Sequence, residues 1–331
     1  MLENTPHKKL SIRDIYEARA RITGIARRTP LVLTHALSRE TGASIYLKLE
    51  HLQEIGAFKV RGAANKILQL SAEQRQRGVT TFSTGNHGLA VAYVANRLGI
   101  PAVICISQRV PQAKVARIGR YQAQLAIVGQ SQDEAAEHCR TLQQEQGLTL
   151  IEPFDDPFVI AGQGTIALEM IEDLPRLDKV IIPLSGGGLL SGIALALKSL
   201  DPQIKVIGVS MERAAVMYES LKAGKPLLLP EAETLADSLL GGIGLNNQYT
   251  FQLTQELVDD LYLVSEEEIA KGMFYMLEQH RMIVEGASAT CIAAIRQHNI
   301  VQPGEQVACI ISGCNVDLSV VTTIAQRYAA N

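Results

Sequence analysis

Hydrophobic and polar positions along this chain follow two alternating periods. Short, almost wholly apolar runs predict buried strands at 44–49, 79–83, 102–106, 124–128, 149–152, 179–184, 205–210 and 307–311. Between these runs, apolar positions three and four residues apart predict helices over 60–70, 87–98, 188–199 and 212–222, with others after Pro111, Ser131 and Pro157. Regular alternation of strands and helices is typical of parallel sheets covered on both faces.

Capping signals mark two further helices. Ser11 with Asp14 opens a helix near the beginning of the chain, and Ser265 with Glu268 opens another near its end. The segment 224–250 is rich in Leu, Gly and Pro and has no clean period, so we expect irregular chain there, bordering a cleft.

The length of 331 residues allows two domains, each with its own core. With the alternation above, this predicts an α/β fold of two doubly wound parallel-sheet domains. We expect a large domain formed by residues 1–53 plus 156–331, a small domain formed by residues 54–155, and a cleft between them.

Composition excludes several classes of function. The net charge is only −3 and there is no Lys/Arg block, so we expect no nucleic-acid partner. No apolar run approaches the roughly 18–20 residues of a membrane span, so we expect no membrane partner. The five cysteines are odd in number and contain no CxxC pair, which indicates reduced thiols in a cytoplasmic protein and no disulfide framework or zinc site.

Lys59 lies between an apolar aromatic residue, Phe58, and the small residues of a helix start. A lysine in such surroundings is poorly placed for solvation but well placed to hold an aldehyde cofactor as a Schiff base. Taken alone the position is weak, because most lysines are solvated. The interpretation of Lys59 as a Schiff-base lysine therefore depends on three later segments.

The first is the run Ser185, Gly186, Gly187, Gly188 and Leu189, which follows an apolar strand and opens a helix. Backbone amides of glycine and the helix dipole together form an anion site suited to a phosphate. The run lacks the ending of a Walker A loop and the spacing of a dinucleotide fingerprint. A nicotinamide site and a purely structural tight turn remain alternatives.

The second segment is Ser83, Thr84, Gly85, Asn86 and His87, at the end of the strand 79–83. It predicts a smaller anion site for a carboxylate, with Asn86 able to donate to a phenolic oxygen. A capped helix with a locally satisfied Asn86 is the alternative, and a structural role is the first interpretation of His87.

The third is Ser312, after the strand 307–311, whose hydroxyl could bind a ring nitrogen. A neutral hydroxyl leaves a pyridine unprotonated, which favours β-elimination over aminotransfer. The alternative interpretation is a simple turn, which is what an isolated Ser-Gly after a strand usually forms.

These four segments, in this order, resemble the fold-type II pyridoxal phosphate enzymes of the threonine dehydratase and serine racemase family. The likeness runs from Arg28 to Leu318. It implies that Lys59 forms the Schiff base and accepts the Cα proton, and that the cofactor is further held by Phe58, Asn86, Ser185, Gly186, Gly187, Gly188, Leu189 and Ser312. It implies that the substrate carboxylate is bound by Ser83, Thr84, Gly85, Asn86 and His87.

The implied activity is that of a lyase, which eliminates water from a β-hydroxy amino acid and gives an oxo acid and ammonia. Family racemases carry a serine where this chain has Thr84. Thr84 is therefore a second catalytic candidate, and an amino acid racemase is the alternative activity. Acidic residues that hold a divalent cation in some members are missing near Ser210 and Val216, so we expect no metal.

Two finer features also follow from the resemblance. The run Leu235-Ala236-Asp237-Ser238 and the run Val284-Glu285-Gly286 are similar to the branch assigned to hydroxyectoine breakdown. A homodimer is implied by the family. From another class of function, a non-catalytic protein that binds pyridoxal phosphate or an amino acid remains an alternative.

Overall fold

The computed structural model of the chain describes residues 9–83, 85–108, 112–129 and 132–329. The strands are β1 Leu31–Leu33, β2 Ser44–Lys48, β3 Val79–Thr81, β4 Ala102–Ile106, β5 Gln124–Ile127, β6 Thr149–Leu150, β7 Lys179–Pro183, β8 Lys205–Met211, β9 Asp260–Val264 and β10 Gln306–Ile310. The helices are α1 Ile12–Ile22, α2 His35–Thr41, α3 Val60–Ile67, α4 Ala72–Arg77, α5 Asn86–Leu98, α6 Gln112–Gly119, α7 Gln132–Gln146, α8 Pro157–Asp173, α9 Gly188–Leu200, α10 Val216–Ala223, α11 Thr250–Leu257, α12 Glu266–His280, α13 Gly286–Gln297 and α14 Leu318–Ala329.

The strands form two sheets. The larger has the order β1-β2-β10-β7-β8-β9 and is parallel except for β1, which pairs antiparallel with β2. The smaller has the order β5-β4-β3-β6 and is parallel throughout. The predicted α/β fold with two parallel-sheet domains is confirmed. The chain leaves the larger sheet after β2, builds the smaller sheet, and returns at β7; the domain boundaries 1–53 plus 156–331 and 54–155 stay a prediction.

The central strands are buried because helices cover both faces of each sheet. All five residues of β7 are buried, which explains the continuous apolar run in its sequence. Helix α3 packs on α8, and α8 packs on α9. The backbone on either side of the cleft is therefore held by the same layer of helices.

Several predicted elements differ from the structure. The helix expected over 212–222 begins only at Val216, because Ala214 has a φ of 53°, which is not helical. The strand predicted at 79–83 ends at Thr81, and the helix predicted over 60–70 ends at Ile67. Ser131, after which a helix is predicted, lies outside the described residues, as does Pro111.

Two further predictions are confirmed, the irregular segment before α11 and the cap of α12. Segment 224–250 is irregular up to the start of α11 at Thr250, apart from a 3-10 turn at Asp237–Leu239, and much of it lines the cleft. The box of Ser265 and Glu268 caps α12. The five cysteines are free thiols. Within the described ranges, no helix is long and apolar enough to cross a membrane.

Candidate active site

A cavity of about 670 Å³ lies at the carboxyl ends of strands from both sheets. Its walls come from the chain after β3, β6, β7 and β10, with residues of segment 224–250 across the opening. Ligands of open parallel sheets bind at this edge. The cavity is therefore the first place to look for the predicted site residues.

Lys59 immediately precedes α3 and projects into this cavity. Its position is fixed by the neighbouring backbone, since the Phe58 N–H donates to the Ser312 carbonyl at 3.0 Å and Ala57 pairs with Gly313. The Lys59 Nζ donates to the Pro153 carbonyl at 2.6 Å. Burial lowers the pKa of Lys59 to about 8 against the opposing effect of the Glu285 carboxylate. A larger fraction of this amine than of an ordinary lysine is thus neutral near neutral pH and available for attack on an aldehyde.

The glycine run forms an open cradle at the start of α9. Gly187 has a φ of 87°, a conformation that favours glycine. A Cβ on Gly186 would clash with the ring of Phe154, and one on Gly188 would lie 2.9 Å from the Phe154 Cβ. The first amides of a helix have no acceptor within it, and α9 is 13 residues long. The cradle fits a phosphate group.

Ser312 is 2% exposed, follows β10 and lines the cavity. Its Oγ lies 3.0 Å from the Ser288 Oγ, which also accepts from the Gly313 N–H at 2.7 Å. The Ser288 hydroxyl donates its one proton to the Gly313 carbonyl at 2.7 Å, so Ser312 is the donor in its contact with Ser288, and the same Ser312 proton can instead bind an acceptor such as a ring nitrogen.

The loop after β3 also contributes to the wall of the cavity. Ser83 and Gly85 line it, with the Gly85 N–H 3.4 Å from the Ser83 Oγ, while Thr84 lies outside the described residues. Asn86 is 8% exposed at the first position of α5. The amides of this helix start are suited to a carboxylate.

His87 also lines the cavity but is tied to the scaffold. Its Nε2 lies 2.9 Å from the Ile151 carbonyl, to which it must donate. Burial, with the nearby positive charge of Lys59, lowers the pKa of His87 to about 3, so the ring is neutral. The structural interpretation of this side chain is supported, and its ring cannot act as an acid near neutral pH.

Two residues at the centre of the site had no role in the sequence analysis. Glu285 is 2% exposed and accepts from the Asn86 Nδ2 through both carboxylate oxygens at 3.0 Å. Burial raises the pKa of Glu285 to about 7. Asn315 donates to the Asn86 Oδ1 at 2.6 Å. Glu285 occurs in one of the runs that carry the finer resemblance and Asn315 lies shortly after Ser312, but nothing local to either position points to Asn86.

The residues present fit a cofactor that has an aldehyde, a phosphate, a phenolic oxygen and a ring nitrogen. Lys59 supplies an amine for the aldehyde, and the glycine cradle supplies backbone amides for the phosphate dianion. Asn86 and Ser312 supply neutral hydrogen-bonding groups for the phenolic oxygen and the ring nitrogen. No group of three or more metal-ligating side chains occurs among the described residues.

Comparison with known proteins agrees with this geometry. The sequence pattern of the family described as "Pyridoxal-phosphate dependent enzyme" matches residues 22–313. A relative from Sinorhizobium fredii (strain NBRC 101917 / NGR234), provisionally named threonine dehydratase, is 47% identical over 309 residues, 93% of each chain. The "L-threonine ammonia-lyase" of Thermotoga maritima is 41% identical over 318 residues, which cover 96% of this chain and 79% of the relative.

Among solved structures, maize serine racemase superimposes with a TM-score of 0.89 at 35% sequence identity, covering 97% of this chain and 98% of the racemase. The match spans both sheets and the cavity between them. The family match selects pyridoxal phosphate as the cofactor over the nicotinamide alternative for the glycine run. The chain belongs to the family of pyridoxal-phosphate dependent enzymes, with the fold-type II architecture.

Proposed function

We propose that this chain is a pyridoxal-phosphate dependent ammonia-lyase, a carbon–oxygen lyase that eliminates water from a β-hydroxy amino acid of the threonine or serine type. The products are an oxo acid and ammonia. The observation that carries the proposal is the convergence, in one cavity, of the Lys59 amine, the glycine cradle at 186–188 and the neutral Ser312 hydroxyl. The names of the relatives from Sinorhizobium fredii and Thermotoga maritima support the same reaction.

When bound, pyridoxal phosphate withdraws electrons from the substrate Cα. Lys59 would hold the aldehyde of the cofactor and, once the substrate amine replaces it, accept the Cα proton at its Nζ. The lowered pKa of Lys59, about 8, keeps part of the amine unprotonated for this step. The Pro153 carbonyl, 2.6 Å from Nζ, limits the directions in which the amine can point.

The remaining predicted residues would bind and orient. Phe58 would lie against the cofactor, and residues 185–189 would hold its phosphate. Ser83, Gly85, Asn86 and His87, with Thr84, would place the substrate carboxylate at the start of α5. Holding the Cα–H bond towards Lys59 is the protein's main contribution to the rate.

The test is ammonia release from a panel of hydroxyamino acids, with Lys59→Ala beside Lys222→Ala. Lys222 is a surface lysine of α10, 61% exposed, and serves as the matched control. We expect turnover to be lost in Lys59→Ala and kept in Lys222→Ala. Turnover retained without Lys59 would refute the assignment.

A narrower substrate proposal concerns hydroxyectoine-derived hydroxyamino acids. Asp237 and Ser238, from one of the two runs that resemble that branch, and Glu285, from the other, all line the cavity. A panel in which threonine is turned over orders of magnitude faster than these compounds would remove the proposal.

Amino acid racemisation is the second candidate, and the superposition on maize serine racemase favours keeping it. Formation of the opposite enantiomer from L-serine would identify it. A non-catalytic binding protein would take up the cofactor but release no ammonia from any member of the panel.

We further propose that the enzyme acts in the cytoplasm as a homodimer. The dimer follows from the family resemblance, and the five free thiols suit a reducing compartment. Light scattering should give about twice 35.9 kDa. The mass of one chain would contradict the dimer.

A further inference from the structure

We propose that Glu285 and Asn315 are positioning residues that fix the Asn86 amide with its nitrogen towards the cofactor. The inference rests on the proposed function, because it assigns Asn86 to the phenolic oxygen of pyridoxal phosphate. It adds the two residues that decide whether Asn86 presents a donor or an acceptor to that oxygen.

An asparagine amide can point either way, and its neighbours select the orientation. Here the Asn86 Oδ1 accepts from the Asn315 Nδ2 at 2.6 Å, and the Asn86 Nδ2 donates to both oxygens of Glu285 at 3.0 Å. The reversed amide would place an oxygen against a carboxylate and an NH2 group against another NH2 group. The contact between the two NH2 groups would be repulsive at any pH, and the contact with Glu285 would be repulsive whenever this carboxyl is ionised, so the observed orientation is the favoured one.

The two positioning residues are themselves held. The Asn315 Nδ2 also donates to the Ile55 carbonyl at 2.8 Å, and its backbone N–H donates to the Glu285 Oε2 at 3.2 Å. The Glu285 N–H donates to the Gly313 carbonyl at 3.2 Å. A Cβ on Gly313 would lie 2.8 Å from the Glu285 carboxyl carbon, so this glycine leaves the space that the carboxylate occupies.

The orientation leaves one useful proton on Asn86. The amide nitrogen carries two protons, and both of its bonds to Glu285 go to one carboxylate group, which a single N–H can make as a three-centre bond. The second N–H is available to the phenolic oxygen, where a donor stabilises negative charge. Asn86 follows β3 of the smaller sheet, whereas Glu285 directly precedes α13 and Asn315 follows β10 of the larger sheet, so these hydrogen bonds join parts of the chain that come from the two sheets.

The test is a double-mutant cycle between Asn315→Asp and Asn86→Ala, read by the dissociation constant of pyridoxal phosphate and the visible absorbance of the loaded protein. An aspartate cannot donate to the Asn86 Oδ1 and attracts its NH2 group instead. We expect Asn315→Asp to raise the dissociation constant of pyridoxal phosphate about tenfold, the effect of losing one charge-assisted hydrogen bond. Intensity should also move to the shorter-wavelength band, because the phenolic oxygen regains its proton. In the Asn86→Ala background the same change should have no further effect.

Control variants separate positioning from a merely structural role. Asn65→Asp removes a donor to the Phe158 carbonyl, 2.7 Å away, at a fully buried residue that does not line the cavity. It should lower the melting temperature and leave the cofactor constant and the absorbance unchanged. Glu285→Gln keeps an acceptor for Asn86 and should retain more cofactor affinity than Glu285→Leu. If Asn315→Asp does not fold, the comparison of these two variants tests the positioning role instead.

Additive effects of Asn315→Asp and Asn86→Ala, or equal losses in Glu285→Gln and Glu285→Leu, would overturn the proposal. Either result could occur in a protein whose wild type binds the cofactor and releases ammonia. The failure of this inference is therefore distinct from a failure of the proposed function, in which the wild type itself would not turn over.

Discussion

Arg61 is the centre of a buried ion network two residues after Lys59, and replacing it with methionine should destabilise the protein strongly. Its guanidinium donates to both oxygens of Glu50 at 2.8 Å and to both oxygens of Glu169, at 2.6 and 2.9 Å. Lys48 donates to Glu169 at 2.5 Å. Arg61, Glu50 and Lys48 are at most 1% exposed, and the four charges of the network sum to zero.

Methionine keeps most of the side-chain volume but removes the charge that pairs with Glu50. Lys48 still neutralises Glu169, so a single buried carboxylate is left without its partner. Breaking a buried ion pair in this way costs about 3–5 kcal/mol. At about 2.1 cal/mol/K per residue, the unfolding entropy of 331 residues is about 0.7 kcal/mol/K. A loss of about 4 kcal/mol should therefore lower the melting temperature by about 6 °C.

The effect should depend on pH. In the native protein, burial raises the pKa of Glu50, but the charge and hydrogen bonds of Arg61 outweigh it and leave this pKa below its usual value. Ionised Glu50 therefore stabilises the fold above its unfolded pKa, and this contribution is lost as the pH falls through the folded pKa. Without Arg61, burial dominates and raises the pKa of Glu50. At acid pH Glu50 is then protonated, the unpaired buried charge disappears, and the loss of stability in Arg61→Met becomes smaller.

The assay is the melting temperature of Arg61→Met and wild type at pH 7.5 and pH 5. The melting temperature of Arg61→Met should lie about 6 °C below that of the wild type at pH 7.5, and the difference should be smaller at pH 5. The control is Arg13→Met, which breaks an ion pair to Glu17 at a side chain 87% exposed and should change the melting temperature by less than about 1 °C. A loss below 2 °C in Arg61→Met, or a gap that does not narrow at pH 5, would refute the reasoning.

Three further predictions concern the cavity. Gly186→Ala forces a methyl group against Phe154 and should weaken pyridoxal phosphate by at least about tenfold in a spectroscopic titration, with wild-type affinity contradicting the cradle. Ser288→Ala removes the neighbour of the Ser312 hydroxyl and should alter the visible absorbance of bound cofactor more than its affinity; an unchanged spectrum would exclude this role. The rate at which the cofactor-free protein captures pyridoxal phosphate should rise through about pH 8, the pKa of Lys59, and a rate independent of pH between 6.5 and 9 would contradict it.

The parts of the fold that the sequence could predict are those with a local period. The strand expected at 102–106 is β4, residue for residue, because a buried parallel strand is an unbroken apolar run. Helix α13 was not predicted. Its residues from Gly286 to Ile295 are all buried, so no polar face gives it a period of 3.6. Strand β9, with its polar start at Asp260, gave no strand signal either.

The site likewise contains residues that the sequence could predict and residues that it could not. Lys59, the glycine run and Ser312 each stand beside a strand or helix end that the sequence reveals, and the structure brings them to one cavity. The role of Glu285 depends on Asn86, which is 199 residues away in the chain. No pattern within a single segment can express such a contact.

The most direct test of the account is the absorbance of the purified protein before and after borohydride, followed by mapping of the modified peptide. We expect a visible band that borohydride abolishes, and a covalent cofactor adduct on Lys59 that is missing in Lys59→Ala. A protein that stays colourless after addition of pyridoxal phosphate, or an adduct on another lysine, would contradict it.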